Sequence, residues 1–158
     1  MIWGMLLPNG EIFIKLMEGR QNSSKYIALL SGYAVPILKE KFLEDFFFQH
    51  DNCSIHVSKE TKKYFEDELI NLISWPARSP DLNLMENVWK MISDTVYDRP
   101  QVRKSSDLYK NITEAVEKIN KTKKDILIGL YQNFRSRLTK VLVNNGNIIT
   151  KLWKCNKK

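Results

Sequence analysis

The sequence predicts an α/β layer followed by basic helices, and three observations carry that expectation. Short strand-like apolar runs alternate with helical apolar stripes through about residue 97, the alternation of helices packed on a sheet rather than of a sandwich. Beyond that point only helical periodicity remains. Charge divides at the same place: residues 1–98 hold 10 Lys and Arg against 14 Asp and Glu, a net −4, whereas residues 99–158 hold 15 against 4, a net +11. Two parts are therefore expected, an α/β part over 1–98 and a basic helical part over 99–158 packed on it.

Taken in order, residues 2–7 and 11–17 read as strands joined by Pro8-Asn9-Gly10. Asn-Gly between apolar runs signals a hairpin, because both residues tolerate the positive φ that a two-residue turn demands. In residues 23–42, Tyr26, Leu29, Leu30, Tyr33, Ala34, Ile37, Leu38 and Phe42 recur at steps of three and four, giving one helical stripe past Pro36 with Asn22 or Ser23 as its cap. Phe46-Phe47-Phe48-Gln49-His50 reads as a buried strand running straight into Asp51. A helix is expected over 58–69, a short strand over 69–75 before Pro76, and a turn at Ser79-Pro80-Asp81-Leu82-Asn83. Met85, Val88, Trp89, Ile92 and Val96 then form a helical stripe. Past a boundary at residues 97–100, Leu108, Ile112, Ala115, Val116 and Ile119 form one stripe, and Ile126, Leu127, Leu130, Phe134, Leu138 and Val141 another. Asn144-Asn145-Gly146-Asn147 closes the last helix, since Asn and Gly accept the left-handed cap conformation.

With 158 residues, 43% apolar and 27% charged, the chain has the size and composition of one globular domain. Its apolar stretches fall short of the roughly 20 residues of a spanning helix, and no charged start, apolar core and cleavage site opens it, so an intracellular protein without a membrane span is expected. Cys53 and Cys155 lie far apart, with His50 and His56 near the first; this makes no disulfide framework and is too little for a structural zinc site. A Gly-rich phosphate loop and a His pair at helix spacing are both missing. A basic segment beside a mildly acidic body suits either a polyanion surface, through counterion release, or a solvated tail. It nominates Arg103, Lys104, Lys123, Lys124, Arg135, Arg137 and Lys140 as contacts to a polyanion, which the family resemblance given below implies is DNA.

Chemistry could sit at Asp51, a carboxylate at a strand end, and at Glu86, in the first turn of a helix. Two carboxylates on separate rigid elements are what a hard divalent cation needs, since Mg²⁺ takes oxygen ligands and shares them with substrate phosphates. On position alone each has a plainer reading. Asp51-Asn52 could be a turn pair ending the strand, and Glu86 could pair with Lys90 four residues on while complementing the positive end of its helix. His56 could simply satisfy a local hydrogen bond, and Trp75 and Trp89 fall on apolar stripes, as core residues do.

The whole string resembles one family. Gln49-His50-Asp51-Asn52 with His56, then Trp75-Pro76-Ala77-Arg78-Ser79-Pro80-Asp81-Leu82-Asn83, then Glu86-Asn87-Val88-Trp89, with Glu86 35 positions after Asp51, is similar to the catalytic domain of Tc/mariner transposases. Met1-Ile2-Trp3-Gly4, Phe134-Arg135-Ser136-Arg137-Leu138 and Asn145-Gly146 extend the likeness over nearly the whole chain.

The resemblance implies a DDE-type, ribonuclease H-like fold and DNA cleavage and strand transfer on two divalent ions, Mg²⁺ or Mn²⁺. It implies that Asp51 bridges the ions, that Glu86 holds one, and that Asn52 and His56 support them from behind. Asp51 and Glu86 are then expected to converge. In the family a central strand carrying the first Asp, and two helix-turn-helix modules, precede the segment matching Met1-Ile2-Trp3-Gly4; neither lies within residues 1–158. The expectations are accordingly a sheet lacking that strand, with the strand near Ile2 and the one near Phe48 either pairing directly or leaving a gap, weak metal binding, and no cleavage by this chain alone. Further implied are DNA as partner, a homodimer or a full-length transposase as possible associate, no small-molecule substrate, and a nuclear location weakly supported by basic runs at 121–124 and 154–158. The alternatives are a non-catalytic, transposase-derived module that binds nucleic acid or a partner, and a domain whose pattern is vestigial.

Overall fold

The computed structural model describes residues 1–43, 45–98 and 104–146. Arg103, Cys155, Asn147 and the basic run at 154–158 lie outside the described residues. In order the elements are β1 (Ile2–Leu6), β2 (Ile12–Leu16), α1 (Ser23–Leu29), a π-helical segment (Leu30–Ala34), α2 (Val35–Phe42), β3 (Phe47–Phe48), α3 (Lys59–Asp67), β4 (Asn71–Leu72), α4 (Leu84–Tyr97), α5 (Ser105–Thr122), α6 (Lys124–Gln132) and α7 (Phe134–Val143). The chain divides into two compact units, one of Met1 with residues 17–78, the other of residues 2–16 with those from Ser79 onward. The division therefore does not follow the charge boundary at 98/99. The physical reason is the hairpin: Leu6 and Ile12 belong to the core made by Val88, Met91, Ile92, Ala115, Val116, Ile119, Leu127 and Leu130.

Within that second unit, β1 and β2 pair antiparallel from Ile2↔Leu16 to Leu6↔Ile12, as expected. The turn differs from the expected two-residue form. Gly10 N–H donates to the Leu7 carbonyl at 2.9 Å, Leu7 N–H to the Glu11 carbonyl at 2.8 Å, and Gly10 alone in the loop has positive φ, +82°. Pro8, Asn9 and Gly10 thus form a three-residue connection whose last position is left-handed. Asn120 on α5 bonds both polar groups of Ile12, accepting its N–H at 2.9 Å and donating to its carbonyl at 3.0 Å. Gly4 leaves room for α4, since a Cβ there would stand 2.7 Å from the Trp89 ring. The expected single helix over the last apolar stripe is two, because Asn133 interrupts it: its amide side chain and its N–H both donate to the Gly129 carbonyl, at 2.8 and 3.0 Å.

The first unit holds α1, α2 and α3 and the parallel pair β3–β4, with Phe47↔Asn71 and Phe48↔Leu72. Asn22 caps α1, its side chain accepting the Lys25 N–H at 2.9 Å. The stripe over 23–42 is continuous but not regular. Pro36 has no N–H for the Gly32 carbonyl and its ring would press on it. The helix widens at Leu30–Ala34, and Val35 N–H reaches back five residues to Leu30. Tyr26, Leu29, Leu30, Ala34, Val35, Leu38, Phe48, Phe65 and Ile70 are buried. The strand expected over 69–75 is only Asn71–Leu72, because Leu69 is taken up in the left-handed turn that ends α3, at φ +56°. Among the described residues β1 and β3 belong to separate two-stranded sheets, so they do not pair directly. No helix of the described residues is long and apolar enough to cross a membrane.

Candidate functional site

The site is built from the end of β3. Phe48 is buried against Phe65, ring centroids 5.2 Å apart, which fixes where the chain leaves the sheet. His50 lies edge-on to both Phe48 and Phe65 and stacks on His56 at 5.2 Å with the rings 6° from parallel. Its Nδ1 pairs with the Tyr26 hydroxyl at 3.2 Å, and Tyr26 in turn packs on His56 at 4.3 Å. Burial, and then the His56 beside it, push the His50 pKa down to about 4 against a smaller opposing pull from Asp51, so His50 is neutral near pH 7. Burial also pushes the Tyr26 hydroxyl up, with Asp51 and Cys53 adding to it. The neutral His50 ring, the His56 ring and the Tyr26 hydroxyl form the floor of the site.

Asp51 stands above that floor with its side chain 53% exposed. Its Oδ1 accepts two hydrogen bonds, from the Cys53 N–H at 3.0 Å and from His56 Nδ1–H at 2.7 Å. Its Oδ2 has no hydrogen-bond partner among the described residues. The structure thus brings Asp51 and His56 together as expected. Asn52 turns away and donates from Nδ2 to the Trp75 carbonyl at 2.9 Å, tying the loop to the segment after β4.

Glu86 lies in the other unit, in the first turn of α4, where Asn83 caps the helix by accepting the Met85 N–H at 3.1 Å. The turn expected at Ser79-Pro80-Asp81-Leu82-Asn83 closes through Leu82 N–H to Ser79 and Asn83 N–H to Pro80. The pairing of Glu86 with Lys90 does not form. Lys90 reaches instead to both oxygens of Asp94 at 3.1 Å, and among the described residues the exposed Glu86 carboxylate has no partner. Hard divalent ions take oxygen donors, and the free Asp51 Oδ2 and the unpaired Glu86 carboxylate fit that requirement.

Of the basic residues expected to meet DNA, Lys104, Lys124, Arg135 and Lys140 are exposed and Lys123 is half-buried. Arg137 is a correction: it is 5% exposed and faces inward, where its Nη1 donates to Asn87 Oδ1 at 2.9 Å and lies 3.5 Å from the Asp81 carbonyl. A guanidinium held there braces the start of α4. The sequence reading missed this role because Asn87 is 50 positions away. It also missed Tyr26 and His50 as the floor under Asp51; only the Gln49-His50-Asp51 string hinted at the latter.

The family model described as DDE superfamily endonuclease matches residues 1–109. The Transposable element Tc3 transposase of Caenorhabditis elegans is 33% identical over 150 residues, which are 94% of this chain and 45% of that protein. The chain therefore spans less than half the length of that relative. The crystal structure of the catalytic domain of Mos1 mariner transposase matches with a TM-score of 0.79 at 17% identity, over 94% of this chain and 74% of that one. The Mos1 catalytic domain with Raltegravir and Mg matches with a TM-score of 0.78 at 16% identity, over 94% and 76%. The structural likeness shows the fold, the ribonuclease H-like α/β fold expected from the sequence.

Proposed function

The chain belongs to the DDE superfamily endonuclease family, and on that premise we propose that it supplies the catalytic part of a transposase that cuts DNA and transfers the cut strand. In this reading Asp51 and Glu86 are ligands of divalent ions, Mg²⁺ or Mn²⁺, which when bound polarise the scissile phosphate and generate the attacking oxygen nucleophile. The observation that carries it is the state of Asp51. A half-exposed carboxylate with one oxygen fixed by a backbone N–H and an imidazole N–H is aimed to offer its other oxygen to a metal ion. The Tc3 relative is a transposase, and the Mos1 domain solved with Mg supports a divalent ion.

The chain's own residues have separable tasks. His56 Nδ1–H orients Asp51, and Asn52 anchors the loop to Trp75. The neutral His50 places no second positive charge beside the cation. Arg137 positions the first turn of α4, which carries Glu86, through Asn87. Lys104, Lys123, Lys124, Arg135 and Lys140 meet the phosphate backbone of DNA, and the nuclear location proposed with this reading rests on that partner.

The test is Mn²⁺ binding to the 158-residue chain, followed by electron paramagnetic resonance. Asp51→Asn and Glu86→Gln should each weaken it by about tenfold or more. Affinities equal to the parent's in both variants would remove the assignment of either residue as a ligand. Metal-dependent nicking of plasmid DNA by the parent, abolished by Asp51→Asn, would contradict the expected inactivity.

A further inference from the structure

Asp51, Cys53 and His56 offer a carboxylate oxygen, a sulfur and an imidazole nitrogen that all lie within 4.8 Å of one another. We propose that this loop is a binding site for a borderline-soft divalent cation, Zn²⁺ above all, with these three residues as ligands and water in the fourth position. Zn²⁺ accepts all three donor types, and three protein ligands with one open position are a common zinc arrangement. Mg²⁺ takes oxygen and has little affinity for sulfur, so the donor set itself discriminates between the two ions.

The geometry is close to what an ion needs. His56 Nδ1 and Asp51 Oδ1 already stand 2.7 Å apart, with a proton between them. A zinc ion at about 2.0–2.2 Å from each replaces that proton with a small parting of the two groups. The loop is turned over on itself, since His56 and Val57 N–H both donate to the Cys53 carbonyl at 2.8 and 3.2 Å. It is held from below by the stacking of His56 on His50 and Tyr26. Cys53 is a free, exposed thiol, so an ion arrives from solvent without opening the fold. On binding, the thiol loses its proton to solvent and the sulfur donates an electron pair to the metal.

The assignment stands on the donor set and the loop geometry; it shares Asp51 with the proposed hard-ion role, and His56 through its hydrogen bond to Asp51. That Zn²⁺ here excludes Mg²⁺ or Mn²⁺ from Asp51 is a consequence that rests on that role. The experiment uses the full 158-residue chain carrying Cys155→Ser, so that Cys53 is its one thiol. Titration with Cd²⁺ should raise a saturable ultraviolet thiolate-to-metal charge-transfer band, and calorimetry should show Zn²⁺ binding. Adding Cys53→Ala should remove the band and weaken Zn²⁺ by at least about 10–100-fold, the loss that even outer partners of a metal ligand cause, while leaving Mn²⁺ affinity unchanged. His56→Asn should keep the band but weaken Zn²⁺. Absence of the band in the Cys155→Ser chain, or equal Zn²⁺ affinity with and without Cys53, overturns the proposal. A Cd²⁺ band without any Mn²⁺ binding supports it and refutes the hard-ion reading.

Discussion

At Asp51 the chemistry is decided by how its two oxygens are used. Oδ1 is occupied by His56 and the Cys53 amide and Oδ2 is free, so removing the imidazole leaves the carboxylate in place but loosely aimed. His56→Ala is therefore expected to weaken Mn²⁺ binding by about 10–100-fold without loss of fold, as outer partners of metal ligands do; unchanged affinity would reduce His56 to a local hydrogen bond. His50 gives a pH signature. Its pKa falls from 6.5 in the unfolded chain to about 4 in the fold, so the unfolded state binds more protons between those values. Stability from this residue is complete above about pH 6.5 and is lost as pH falls toward 4. Thermal midpoints should drop over that window in the parent and drop less in His50→Phe, and identical profiles would contradict the buried neutral state. The Asp51–His56 pair was legible in sequence because five residues of turn can bring two side chains together. The inward Arg137 was not, because its partner Asn87 comes from another helix and a basic residue in a basic segment looks like surface.

Elements show a similar contrast. The hairpin, the α3 and α4 stripes and the cap at Asn22 follow from local pattern, whereas element lengths follow from partners. β4 is two residues long because β3 offers only two, and the π-helical turn exists because Pro36 would otherwise crowd the carbonyl of Gly32. The turn at Gly10 joins both levels. Its φ of +82° suits Gly, and a Cβ there would stand 2.8 Å from the Lys124 carbonyl oxygen at the start of α6. Gly10→Ala should thus cost about 1–3 kcal/mol in urea unfolding. A change within about 0.5 kcal/mol, typical of a surface substitution, would show that the hairpin does not depend on this contact. In the same core, Val88 is fully buried, and its truncation to Ala would be felt through the cavity it leaves.

For the whole molecule, the charge contrast between residues 1–98 and 99–158 was read correctly as a sum but not as a boundary, since residues 2–16 fold with the basic helices. The exposed cations of that second unit give a quantitative expectation. DNA affinity should fall steeply from low to physiological salt, and Lys124→Ala, Arg135→Ala and Lys140→Ala should each reduce the slope of log affinity against log salt by about 0.9. Arg137→Met should leave the slope unchanged while lowering stability by about 1–3 kcal/mol, because it leaves the Asn87 amide oxygen without its donor. A slope that changes with Arg137 and not with the three exposed residues would invert the proposed surface.

The proposed roles of Asp51 and of Glu86 as ligands of divalent ions are tested most directly by Mn²⁺ titration of the 158-residue chain and its single variants, followed by electron paramagnetic resonance. Parent binding that is saturable, and weakened about tenfold or more by Asp51→Asn and by Glu86→Gln but unchanged by Cys53→Ala, is the expected outcome. Binding that persists at parental affinity in both acid variants, or that is lost with Cys53 alone, would contradict those roles.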